Sequence, residues 1–147
     1  MPTEGLTVAL SYTYLDGDMP PQSNPLAGGA TETFVTQQTP RHAGSLSLDY
    51  RFSPRPIGTF STHLDITSTD RYSYVTFSPA SQRFDAYTLV NARLALSDIA
   101  IGHSGHSFTI ALWGRNLTDE EYIVFALPDA QAFGTPRTAG IDISYRF

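Results

Sequence analysis

Six stretches of this 147-residue chain alternate between apolar and mostly polar residues, and a period of two points to strands. Leu6, Val8, Leu10, Tyr12 and Tyr14 alternate with Thr7, Ala9, Ser11 and Thr13 over the span of a tilted membrane-crossing strand, about 9 to 11 residues. Leu46, Leu48, Tyr50 and Phe52 alternate with Ser45, Ser47, Asp49 and Arg51; Phe60, Leu64 and Ile66 with Ser61, His63, Asp65 and Thr67. Val90, Ala92, Leu94 and Leu96 form a fourth set against Asn91, Arg93, Ala95 and Ser97. Phe108, Ile110 and Leu112 form a fifth, and Ile141, Ile143, Tyr145 and Phe147 a sixth, opposite Asp142, Ser144 and Arg146. The expected fold is all-β, an antiparallel meander of about six strands.

The connections alternate in length. Residues 16 to 40 carry Pro20, Pro21, Pro25, Gly28 and Gly29 and read as a long loop, extended by the strand-like Thr33-Phe34-Val35. Ser53 to Gly58, with Pro54 and Pro56, is a tight turn that cannot join a ladder. The third strand runs toward Tyr72 and Tyr74, before a medium loop through Ser78-Pro79. Ile99 to His106 turns the chain into the fifth strand, and a last loop around Pro128 and Gly134 leads to the sixth. Short turns at one end and long loops at the other are the asymmetry of outer-membrane barrels. The aromatic residues fall into two belts: Tyr50, Phe52, Phe60, Phe108, Tyr145 and Phe147 at the short-turn end, and Tyr12, Tyr14, Tyr72, Tyr74, Phe84, Tyr87 and Tyr122 at the other.

Composition narrows the functional classes. The nine basic residues, all Arg, face fourteen acids for a net charge of −5, which argues against a nucleic-acid partner. There is no Cys, so thiolate metal sites, disulfides and Cys nucleophiles are excluded. Met1 to Gly5 lacks the features of a signal peptide and no apolar run is long enough for a spanning helix, so a membrane role must come from strands and an export signal from upstream.

Arg115-Asn116-Leu117-Thr118-Asp119 with Tyr122, then Gly134-Thr135-Pro136-Arg137, then Tyr145-Arg146-Phe147, closely resembles the C-terminal end of TonB-dependent outer-membrane receptors. The resemblance implies that the Asn-Leu segment lies in the penultimate strand, that Gly134-x-Pro136-Arg137 opens the last, and that Phe147 serves as an assembly signal. It further implies the C-terminal portion, residues 1–147, of a barrel of about 22 strands, without its plug domain. Such a parent imports a scarce ligand such as a ferric siderophore across the outer membrane of a Gram-negative bacterium, driven through TonB. The expected partners are outer-membrane lipids, the missing strands and plug, and TonB by way of the parent. A passive porin-type barrel and a soluble β-sandwich binding module are the competing readings.

No catalytic constellation stands out, and neither an enzymatic activity nor a cofactor is expected. His103 and His106 flank a glycine-rich turn, and incidental histidines explain them better than a metal site. Asp119, Glu120 and Glu121 read as a solvated strand end, and Trp113 as a structural residue on the polar side. A charge facing lipid near the midplane costs about 2–4 kcal/mol, so Asp49, Arg51, Asp65, Arg93, Asp142 and Arg146, with His63, should face a wet lumen. Ligand-binding residues cannot be named from the sequence, but Asp16, Asp18, Glu32, Asp70, Asp85, Asp119 to Glu121 and Asp129 predict an acidic rim, interrupted by Arg41, Arg71, Arg83 and Arg137.

Overall fold

The computed structural model describes residues 5–17, 19–34, 36–73, 83–101, 105–127 and 130–147. Six strands form one sheet: β1 (Leu6–Tyr14), β4 (His42–Arg51), β5 (Thr59–Thr69), β8 (Tyr87–Ile101), β9 (His106–Arg115) and β12 (Thr138–Arg146). Each pairs antiparallel with the next in the order β1-β4-β5-β8-β9-β12, so the meander expected from the alternation is present. The long connections carry three small hairpins, β2 (Gln22–Asn24) with β3 (Ala30–Glu32), β6 (Tyr72–Ser73) with β7 (Arg83–Phe84), and β10 (Ile123–Leu127) with β11 (Ala130–Phe133).

Register decides which side chains share a face, because directly paired residues point the same way. Leu10 pairs with Leu46, Leu48 with Leu64, Leu94 with Leu112, and Ile110 with Ile143. Asp49 pairs with His63, His63 with Arg93, and Arg93 with Trp113, all on the opposite face. Nothing packs over the apolar face among the described residues: Leu10 is 79% exposed and Ile143 68%. Among the described residues the buried apolar side chains are only Phe34, Phe84, Ala95, Ala111 and Ala126. A sheet whose aliphatic residues stand outside and whose charges stand inside is inverted for water, and suits lipid surroundings.

Several expectations give way. β8 continues to Ile101, past a bulge where Asp98 takes a left-handed φ of 58°, so Ile99 to Ile101 belong to a strand rather than a turn. Thr33 and Phe34 are not in a strand; the pairing segments of that loop are β2 and β3, and Phe34 is buried instead. The loop before Gly134 holds the hairpin β10–β11, which leaves no periodic signal because its apolar residues run together without alternating. Val35, Tyr74, Ser78, Pro79, Gly102, His103, Pro128, Asp18 and Asp129 lie outside the described residues.

The belts also need revision. At the short-turn end Tyr50, Phe52 and Phe60 cluster, with ring centroids 4.4 and 5.1 Å apart, and Phe108, Tyr145 and Phe147 continue the row at 4.9 and 6.2 Å. At the long-loop end, among the described belt residues, only Tyr12 and Tyr14 stand on the apolar face. Tyr87 pairs with Thr69 and so lies on the charged side, stacked on Tyr122 at 4.7 Å, while Tyr72 and Phe84 pack edge to face within a loop hairpin. A histidine joins each belt: Tyr12 Oη lies 2.8 Å from His42 Nδ1, and Tyr145 Oη 2.8 Å from His106 Nδ1.

Candidate functional site

Three arrangements gather the residues singled out above. The first is a clasp at the long-loop end of β9 and β12. Asn116 does not lie inside the penultimate strand: it follows Arg115, the last residue of β9, where the chain turns and Asp119 N–H donates to Asn116 O at 2.9 Å. Asn116 and Asp119 adopt left-handed φ values of 49° and 58°, a region that Asn and Asp enter more readily than other side chains. The Asn116 side chain is buried, and both amide protons and the carbonyl oxygen are bonded. Its Oδ1 accepts from Glu120 N–H at 2.8 Å, and its Nδ2 donates to Glu120 O at 2.8 Å and Thr135 O at 3.1 Å. Its backbone N–H donates to Asn91 Oδ1 at 3.0 Å, while Leu117 N–H continues the β8 ladder onto Val90 O.

Gly134 and Arg137 complete the clasp from the β12 side. Gly134 N–H donates to Tyr122 O at 2.7 Å, and the Tyr122 ring fills the space a Cβ on Gly134 would need. Arg137 forms a 3.0 Å ion pair with Asp119, whose carboxylate also accepts the Arg137 N–H. Pro136, exposed and without an N–H, sits just before β12 begins, where no ladder bond is lost. Asn116, Asp119, Tyr122, Gly134 and Arg137 thus have architectural roles, and Asp119 is half of an ion pair rather than one of a free acidic run. Leu117 packs over Gly114, and Phe147, at 94% exposure, ends the aromatic row.

The second arrangement is the charged face. Asp49 and His63 meet at 2.7 Å, Arg93 and Asp142 at 3.8 Å, and Arg51 and Asp98 at 3.7 Å. Asp65 accepts from Asn91 Nδ2 at 3.1 Å, and Asp142 from Trp113 Nε1 at 3.1 Å. The Trp113 indole lies over Gly140, and the Arg115 guanidinium lies over the indole at 5.6 Å. Arg146 has no carboxylate partner among the described residues. The ion pairs are solvent-exposed, so each contributes about 0–1 kcal/mol to stability, and they keep the face wet more than they hold it together.

The third is a cleft of about 460 Å³ at the long-loop end, between the loop after β1 and the hairpin β6–β7. Arg41, Arg71 and Arg83 line it together with Asp16, Tyr72 and Ser73. The rim expected to be acidic is basic at this point, because loops distant in sequence bring its interrupting arginines to one place. Arg41 Nη2 lies 3.3 Å from Asp16 Oδ1 and 3.1 Å from Tyr14 Oη, and the Tyr14 hydroxyl and Asp16 both hold the guanidinium in its charged form. Burial, and then Tyr87, raise the Tyr72 phenol above its ordinary range, so it remains a neutral hydroxyl. No cluster of three or more metal-ligating side chains exists among the described residues.

Comparison with known proteins joins these observations. No curated protein matches the sequence. A solved structure with the same fold is that of BauA, the ferric preacinetobactin receptor from Acinetobacter baumannii, with a TM-score of 0.73 and 21% identity. The superposition covers 98% of this chain and 20% of BauA, so the chain spans a fifth of that receptor's length. The family described as "TonB dependent receptor-like, beta-barrel" matches residues 4–117, nearly all of which precede the clasp motifs. Two separate parts of the sequence therefore point the same way, and the chain belongs to the TonB-dependent receptor β-barrel family.

Proposed function

We propose that this chain is the C-terminal six-strand portion of the barrel of a TonB-dependent receptor that imports a scarce ligand such as a ferric siderophore. The observation that carries the reading is the division of the sheet, with an apolar, aromatic-bordered face outside and a face of paired charges inside, in a chain of this family. Six strands are too few to close a transmembrane barrel, where about eight is the lower limit, and β1 and β12 each keep one open edge. Both are consistent with a segment of a larger barrel. The name of the structural relative, a ferric preacinetobactin receptor, supports a ferric chelate as the class of ligand.

In this reading the long loops face the cell exterior and the short turns the periplasm. Asp49, Arg51, Asp65, Arg93, Asp142 and Arg146 present donors and acceptors to a plug domain in the lumen, which moves when TonB pulls. The chain does no chemistry on its cargo; it forms the wall. Uptake of radio-iron as ferric siderophores by iron-starved cells carrying the whole receptor measures this directly. Uptake should stop in cells lacking TonB or treated with a protonophore. Passage that persists without TonB and without a proton gradient would establish a passive porin instead.

A further inference from the structure

We infer that the outer cleft is a binding site for a solute carrying clustered negative charge, with Arg41, Arg71 and Arg83 as its recognition groups. The inference deepens the transport reading, since it rests on the long loops facing the cell exterior. Among the described residues three guanidinium groups line the cleft against one carboxylate, Asp16, in a chain whose net charge is −5. Asp16 is engaged with Arg41, whereas Arg71 and Arg83 have no carboxylate partner among the described residues. Like charges around one opening repel, and an anion placed among them relieves that repulsion.

The placement is built by the backbone. Gln37 bridges Ser73 across the two loops, and Gln38 N–H donates to Ser73 O at 2.9 Å. Ser73 pairs with Arg83 in the β6–β7 hairpin, Leu15 N–H donates to Arg41 O at 3.0 Å, and Asp70 N–H donates to His42 O at 2.9 Å. Each arginine is therefore anchored within a residue or so of a backbone bond that joins two segments. A guanidinium presents a planar fork that matches carboxylate or catecholate oxygens two at a time, which a lysine cannot do. A volume of about 460 Å³ fits a small chelate, and a concave site between loops suits a solute better than a lipid headgroup lying along the barrel wall.

The test uses the whole receptor in de-energised outer membranes, with two anionic probes, ferric citrate and a ferric tris-catecholate, and one probe without negative charge, ferrioxamine. Wild type should bind at least one anionic probe saturably, with affinity that falls as salt rises. Replacing Arg71→Gln and Arg83→Gln together should weaken that binding by about a hundredfold, roughly tenfold for each guanidinium removed, while Arg71→Lys and Arg83→Lys lie between. Ferrioxamine binding, surface level and heat-modifiability should stay unchanged. No saturable binding of either anion overturns the proposal, as does an equal loss for ferrioxamine, which would mean damage to shape rather than charge. Loss confined to purified lipopolysaccharide would assign the arginines to lipid phosphate and overturn it too. Because binding is read without energy, failure of TonB-driven uptake would sink the transport reading alone, and anion-blind binding with intact uptake of ferrioxamine would sink the cleft alone.

Discussion

Asn116 shows how much one side chain can hold. Its amide joins the end of β9 to the segment before β12 and supports a left-handed turn, with both amide protons donated and the oxygen accepting. Asn116→Ala leaves one donor and two acceptors unpaired in a half-buried place and should cost about 1–3 kcal/mol, read as a lower heat-modification midpoint of the refolded receptor. Asn116→Gly keeps the backbone permissive and loses the same bonds, so equal losses for the two variants would assign the effect to the amide rather than to φ. Gly140 offers a second test. Its missing Cβ makes room for Trp113, the chain's one tryptophan, so Gly140→Val should displace the indole from Asp142. The expected result is a shift in Trp emission and a loss of about 1–3 kcal/mol. Unchanged emission would show that the glycine is incidental.

At the scale of the strand, one residue of register separates lipid from water. Leu112 and Ala111 are neighbours in β9, yet Leu112 pairs with Leu94 and Ile141 on the apolar face while Ala111 pairs with Ala95 and Asp142 on the other. Leu112→Arg near the middle of the sheet should therefore destabilise the membrane-embedded receptor by about 2–4 kcal/mol. Thr109→Arg, whose partner Ser144 lies on the charged face, should be nearly silent. Similar urea midpoints in lipid for the two variants would mean that both faces are wet, and the barrel reading would fail. The short turn at Phe52 to Gly58 keeps this register in place: Phe52 N–H donates to Phe60 O, and Arg55 and Gly58 exchange both backbone bonds.

For the whole molecule the decisive quantity is edge. β1 and β12 each present one unpaired side, and no second sheet or helix covers the apolar face among the described residues. The 147-residue chain expressed alone should thus fail to form a closed, heat-modifiable monomer in lipid, and should aggregate through those edges. A monomeric pore of defined conductance from this polypeptide would show that β1 can reach β12, and would remove the argument that it is part of a larger barrel. In the intact receptor, deleting residues 18 to 38 removes Thr36 from the lining of the arginine cleft and the Gln37 and Gln38 backbone links to Ser73 that hold its two loops together. Uptake should fall while assembly persists.

The alternation of Leu46-Ser47-Leu48-Asp49 and its counterparts determined the strands, their faces and the meander, because a period of two is a local property that each strand carries by itself. The Asn116 and Gly134 motifs were legible too, but only as signatures of a family, since nothing in their order along the chain says that one amide bonds to both segments. Tyr87 stands at the outer end of β8, where a belt residue is expected, yet it shares its parity with Asn91 and Arg93 along an unbroken register and so lies on the charged face. The arginine cleft was hidden altogether. Arg41, Arg71 and Arg83 are far apart in the chain, and loop backbone bonds such as Gln38 to Ser73 place them together. Such contacts depend on where two whole loops dock, which no local pattern encodes, so the tertiary structure alone turned a nominally acidic rim into a basic site.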